Sequence, residues 1–133
     1  MTRIAGDATG LPTPAGPYSH SVRIGELGHT AGQVGIDPAT GAVAGSDCVT
    51  QTRQALANLA EALAALGAGP QDVLRCSAYL TTVEDFPAMN EEYARFFTEP
   101  FPARTTVYVG LPPGLLVEID ALVVVPLGAE GSS

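Results

Sequence analysis

Residues 103–125 read ARTTVYVGLPPGLLVEIDALVVV. Two β-prone runs, 103–109 and 116–125, flank Gly110-Leu111-Pro112-Pro113-Gly114, whose glycines and prolines mark a turn. The second run ends in the continuous apolar stretch Ala121 to Val125. A sheet built from such strands must hide one face under helices. If the other face stays open, it exposes an apolar patch of the kind that marks contact with another molecule. A second copy of the chain is the expected cover, so the reading predicts a homo-oligomer.

The elements upstream supply the helices. Phe86, Met89, Tyr93, Phe96 and Phe97 recur at helical spacing and predict a helix over 86–98, with Asp85 as its N-cap and Pro100 and Pro102 preventing continuation. Residues 73–82 (VLRCSAYLTT) read as a strand. The clearest helix covers 47–66, where Val49, Leu56, Leu59, Leu63 and Leu66 form one apolar stripe. Ser46 or Asp47 caps it, Gly67 and Gly69-Pro70 end it, and its opposite face carries alanines with Gln51, Arg53, Asn58 and Glu61. Residues 18–24 and 27–34 read as strands joined by a Gly25-Glu26 hairpin turn, with a second turn at Asp37-Pro38-Ala39-Thr40-Gly41 and a short extra strand near Ala42-Val43. Residues 1–13 are expected to be an irregular N-terminal segment and 127–133 a loose tail. The order β-β-α-β-α-β-β predicts an α+β two-layer fold, with a mixed, mainly antiparallel sheet and two helices on one face.

With 133 residues, 46% hydrophobic and 15% charged, the chain suits one globular domain, 1–133. Fourteen acidic residues face six basic ones, a net charge of −8, and every basic residue is an arginine: Arg3, Arg23, Arg53, Arg75, Arg95 and Arg104. The absence of lysine excludes a Schiff-base or P-loop lysine, and the acidic balance opposes binding to phosphate backbones. Cys48 and Cys76, with only His20 and His29 as further soft ligands, lack the spacing of a zinc site. Neither a signal-peptide core nor a run long enough to span a bilayer is present in the sequence, so the expected setting is the cytoplasm, with both thiols reduced and no membrane partner.

Two residues stand out chemically. Arg104 interrupts a strand of Ala, Thr, Val and Tyr, and its planar fork of donors suits bidentate capture of a carboxylate. The plainer alternative is an exposed arginine or one paired with an internal acid. Glu118 interrupts Leu115-Leu116-Val117 and Ile119, where burial can raise its pKa and fit it for proton transfer; it could equally be the internal partner of an arginine. Asp120 shares its strand face. If strands 103–109 and 116–125 pair with an even register sum, Arg104, Thr106, Glu118 and Asp120 share one face; an odd sum separates the arginine from the acids. The sequence leaves both registers open. Ser19, His20 and Ser21 are neighbours on a strand and point alternately, so they make no triad. His29 reads as a packed or surface histidine.

Taken together, several segments resemble the Rid family (RidA, or YjgF). They are Gly16-Pro17-Tyr18-Ser19, Gly32-Gln33, Asp37-Pro38-Ala39-Thr40-Gly41, Gln51-Thr52-Arg53-Gln54 with Asn58-Leu59, Asp85-Phe86 with Asn90, Tyr93-Ala94-Arg95-Phe96-Phe97, Pro102-Ala103-Arg104-Thr105 and Val117-Glu118-Ile119-Asp120-Ala121. The resemblance runs from Pro14 to Val125. It implies a chorismate-mutase-like fold and a barrel-like homotrimer with clefts between subunits. It also implies cofactor-independent hydrolysis of reactive enamines and imines, of the 2-aminoacrylate and 2-iminopropionate type, to a 2-keto acid and ammonia. On this resemblance Arg104 clamps the substrate carboxylate and Glu118 handles water and protons. Main-chain groups near Gly32 and Thr106 hold the imine, while Tyr18 and Asn90 shape the pocket. The chain departs from the family pattern at Ala31, often Ser, at Thr106, often Cys, and at His20. Two other functions fit the same residues less well: a non-catalytic trimer that binds small carboxylates, and an RNA-cleaving translation inhibitor, which the net charge opposes.

Overall fold

The structure is a computed structural model that describes residues 1–128. The chain runs β1 (Ile4–Ala5), β2 (Ser21–Ile24), β3 (Leu27–Thr30), β4 (Gln33–Val34), α1 (Cys48–Ala64), β5 (Val73–Leu80), α2 (Phe86–Phe96), β6 (Ala103–Tyr108) and β7 (Val117–Val124). The strands form a single open sheet in the order β1-β2-β3-β7-β5-β6, and β4 pairs with the first half of β7. Every pairing is antiparallel except β5 with β6. This is the expected α+β class, with both helices on one face.

The sequence explains the central position of β7. Its residues alternate strictly, so Val117, Ile119, Ala121 and Val123 point into the core while Glu118, Asp120 and Leu122 point away. Leu56, Leu59 and Leu63 of α1 and Met89 and Tyr93 of α2 cover the inward set. Each fully buried leucine contributes roughly 1.5–3 kcal/mol. Asp47 caps α1, its carboxylate accepting from the Thr50 N–H at 2.8 Å.

Gln51 and Asn58 do not lie on a solvent face as the alanine-rich reading suggests; both are buried. Gln51 donates to the carbonyls of Gly45 and Gly114 and accepts from the Leu116 N–H. Asn58 donates to the carbonyls of Val34 and Ile36. The two amides thus satisfy backbone groups at strand ends and in the irregular segments beside them. Asp85 precedes α2, but its side chain makes no cap bond. A 3-10 turn over Val83–Asp85 leads into the helix, and Thr82 caps that turn instead.

Other expectations change at the sheet edges. The N-terminal segment is not wholly irregular, because Ile4 and Ala5 pair with Arg23 and Val22. The strand expected over 27–34 breaks at Ala31-Gly32, and the one expected over 18–24 begins only at Ser21. The extra strand near Val43 is a single bridge to Ile36. Of the expected loose tail, residues 129–133 lie outside the described residues.

The main correction concerns β6 and β7. They are not paired, because β5 lies between them. The crossover through α2 makes β6 parallel to β5, so the Gly110–Gly114 turn spans a strand's width rather than closing a hairpin.

Candidate functional site

Register decides what Arg104 and Glu118 can share. Arg104 aligns with Cys76, and Cys76 aligns with Ala121. Residues aligned across strands share a face, so Arg104 and Thr106 project on the helix side of the sheet. Glu118 aligns with Tyr79, and Asp120 with Ser77, on the opposite side. Within one chain the structure therefore separates the arginine from the acids. The candidate residues fall into two groups, one on each face.

The first group surrounds Arg104. The edge strand β6 leaves the guanidinium half-buried between α2 and the 101–102 segment. One Nη2–H donates to Asn90 Oδ1 at 2.6 Å, and the cation lies 4.6 Å from the Tyr93 ring centroid and 5.7 Å from that of Phe86. Among the described residues no carboxylate lies within ion-pair distance of it. Cys76 beneath it is held protonated, its thiol pushed up to about 11 by burial. The arginine is thus oriented by a neutral acceptor and aromatic faces, its charge unmatched, at the wall of an open cavity of about 430 Å³ lined also by Ala94, Phe101 and Pro102. Thr106 follows on the same strand face, opposite Ala78. A buried cation costs less when it meets an anion, so this cavity favours an anionic guest.

The second group surrounds Glu118. Its half-buried carboxyl lies against Gly32, where an added Cβ would approach the Glu118 Cδ to 2.7 Å. Glycine at 32 is what allows the contact. Burial raises the Glu118 pKa above the ordinary carboxylate range, and the neighbouring Asp120 raises it further. A carboxyl so placed keeps its proton to a higher pH than an exposed one, which suits it to proton exchange. Tyr18, half-exposed, and Ala31 line a second open cavity of about 390 Å³ on this side, with Arg3, His29 and Thr30.

Three participants escape the residue-by-residue reading. Tyr93 fits the apolar stripe of α2, but its ring is also the platform for Arg104. His20 and Gln33 are both buried and hydrogen-bonded to each other across the Tyr18 side. The apolar spacing on α2 signals Tyr93 only as core, and nothing local in the sequence signals the His20–Gln33 contact.

Among the described residues no helix is long and apolar enough to cross a membrane, and no cluster of His, Cys, Asp and Glu is set to hold a metal ion.

Residues 9–125 match the family described as Endoribonuclease L-PSP. The chain is 44% identical over 112 residues to a RutC family protein of Pyrococcus horikoshii, covering 84% of this chain and 89% of that one. It is 38% identical over 114 residues to the 2-iminobutanoate/2-iminopropanoate deaminase of Capra hircus, covering 85% and 83%. The crystal structure of RidA from an Antarctic Psychrobacter superposes with a TM-score of 0.87 at 31% identity, over 92% of this chain and 99% of that one. With the motifs, the fold and the relatives in agreement, the chain belongs to the Endoribonuclease L-PSP family, the family of the RidA, YjgF and RutC proteins.

Proposed function

We propose that the protein hydrolyses small carboxylate-bearing imines, and enamines after tautomerisation, to 2-keto acids and ammonia, without a cofactor. The observation that carries this reading is the unmatched, preoriented guanidinium of Arg104 at a cavity wall. The deaminase name of the goat relative supports the reaction class. The opposite-face placement of Arg104 and Glu118 supports a site completed between copies of the chain. One copy supplies Arg104, Asn90 and Thr106, and its neighbour supplies Glu118, Gly32, Ala31 and Tyr18. A barrel-like homotrimer closes such clefts in a ring and covers Ile24, Leu27 and Val124, which stand exposed on the open face. The two free, buried cysteines fit a reducing compartment such as the cytoplasm.

The chemistry is modest and each residue has one task. Arg104 takes the substrate carboxylate on two parallel N–H donors, which fixes C2 in place. Glu118 accepts a proton as water adds to C2, and the C=N electron pair moves to nitrogen, which takes up a proton from solvent. In the resulting carbinolamine Glu118 returns its proton to the nitrogen, the C–N bond breaks as the hydroxyl releases its proton to solvent and becomes the ketone, and ammonia leaves. Water enters, ammonia departs, and no net redox change occurs.

The test is a coupled assay. An amino-acid oxidase or threonine dehydratase generates the imine, and ammonia and keto-acid release are followed with and without the protein. Acceleration across small imines supports the reading. Binding of 2-keto acids by calorimetry without any acceleration replaces it with a non-catalytic carboxylate-binding role. The net charge of −8 and the absence of lysine weigh against RNA as the substrate.

A further inference from the structure

Residues 12–19 form a loop with little to hold it. It contains no strand or helix, and most of its side chains are exposed. Yet it carries Tyr18, one wall of the proposed cleft. Its ends are fastened at a neck. Leu11 is buried on one side and His20 on the other, and His20 Nε2 lies 2.6 Å from the carbonyl of Pro12, eight residues back.

The donors and acceptors around the imidazole settle its tautomer. Gln33 Nε2 lies 3.1 Å from His20 Nδ1 and 3.3 Å from the carbonyl of Ala31. The carbonyl can only accept, so the amide nitrogen must face it, and that nitrogen then donates to Nδ1. The proton of the ring therefore sits on Nε2 and is donated to Pro12. Flipping the Gln33 amide would set its oxygen against the Ala31 carbonyl. The backbone completes the network, since the Ala31 N–H donates to the His20 carbonyl at 2.8 Å. The Tyr18 ring meets the His20 ring edge-on at 6.1 Å, and the Tyr18 hydroxyl accepts from the Ala15 N–H at 3.1 Å.

We infer that His20 is a positioning residue for the imine-handling cleft. In its Nε2–H form it buckles the 12–19 loop shut and, through Gln33 behind it, locks Tyr18 and Ala31 into one wall beside Gly32 and Glu118. It touches no substrate itself. The inference rests on the function proposed above for its link to turnover, but not for the buckle. It also gives a role to one of the chain's departures from the family pattern.

Two measurements test it on the full-length protein. The first is amide hydrogen exchange with His20→Leu and His20→Gln. Leucine removes both ring contacts, and exchange over residues 12–20 and at Ala31 is expected to quicken about tenfold or more, while α1 stays protected. Glutamine keeps a terminal N–H within reach of the Pro12 carbonyl and an oxygen to accept from Gln33, and is expected to restore most of the protection. Unchanged exchange in His20→Leu overturns the buckle. The second is steady-state imine turnover. His20→Leu is expected to raise KM about tenfold, the effect of one lost positioning contact, with kcat within about threefold, and glutamine to rescue it. Wild-type KM in His20→Leu, or failure of His20→Gln to rescue, overturns the positioning role while leaving the deaminase reading intact. If the wild type itself shows no turnover, the deaminase reading fails and the exchange result alone decides the buckle. Nitrogen-15 NMR of the imidazole adds a direct check, because a proton found on Nδ1 contradicts the network.

Discussion

Exchanging Arg104 for lysine keeps the positive charge and changes only its shape, so it isolates the fork. In the structure one guanidinium N–H is committed to Asn90 Oδ1 at 2.6 Å, and the plane rests on Tyr93 at 4.6 Å. The other donors remain for two parallel bonds to a carboxylate. Lysine offers a tetrahedral head that cannot lie flat on the ring and cannot make both bonds at once. Losing one hydrogen bond to a charged group costs about 1.5–3 kcal/mol, which lowers kcat/KM roughly 10- to 100-fold. Arg104→Ala removes both bonds, about 3–6 kcal/mol, and kcat/KM should fall roughly 10- to 100-fold further than the loss of a single bond would explain. Neither change should unfold the chain. The lost Asn90 bond and stacking are worth about 2–4 kcal/mol against a total stability of about 5–15 kcal/mol. The assay is the oxidase-coupled release of ammonia, with circular dichroism to confirm folding. Folded Arg104→Lys protein with wild-type kcat/KM would refute the idea that a planar fork holds the substrate.

Three further variants follow from the same geometry. Glu118→Gln should lower kcat about a hundredfold with little change in KM, because a proton-transfer group is lost and the clamp is not. The same variant has a stability signature. Burial and Asp120 raise the folded-state pKa of Glu118 above its ordinary 4.5, so the folded chain binds more protons than the unfolded one as pH climbs from there. Wild-type stability should fall across that window, whereas Glu118→Gln should lack the fall and melt slightly higher at pH 7; equal melting profiles would contradict the shift. Gly32→Ala places a methyl against the Glu118 carboxyl, the movable end of a flexible side chain. It should therefore reduce kcat by displacing the carboxyl while leaving the melting temperature within a few degrees of wild type. Gln51→Leu leaves the carbonyls of Gly45 and Gly114 and the N–H of Leu116 without their partner. It should cost at least about 3 kcal/mol in urea unfolding, since each of the three orphaned buried groups carries roughly 1–3 kcal/mol.

The helices and strands were legible because their cues are local. The α1 leucines, the aromatic spacing of α2 and the alternation of β7 each reflect a face that must be buried. Strand neighbours were not legible, because nothing in 103–125 records that β5 inserts between its two runs. That insertion decides the site, since it sets Arg104 opposite Cys76 rather than on the face of Glu118. The motif resemblance groups residues that a single chain places on opposite faces of its sheet. Gln51 and Asn58 misled for a related reason: a long amide on an alanine-rich helix looks solvated until the fold presents backbone carbonyls for it to meet. His20 was noticed as a departure from the family pattern, but its role depends on Pro12 and Gln33, which meet it only through the turn of the chain.

Mixing Arg104→Ala with Glu118→Gln tests the central claim most directly, because it asks whether the fork and the carboxyl of one site come from different copies. Each variant alone should be nearly inactive. Unfolded together in equal amounts and reassembled, about one cleft in four should combine an intact Arg104 with an intact neighbouring Glu118, and imine hydrolysis should return to about a quarter of the wild-type rate. Reassembled mixtures that form normal oligomers yet stay as inactive as either variant would contradict the shared site.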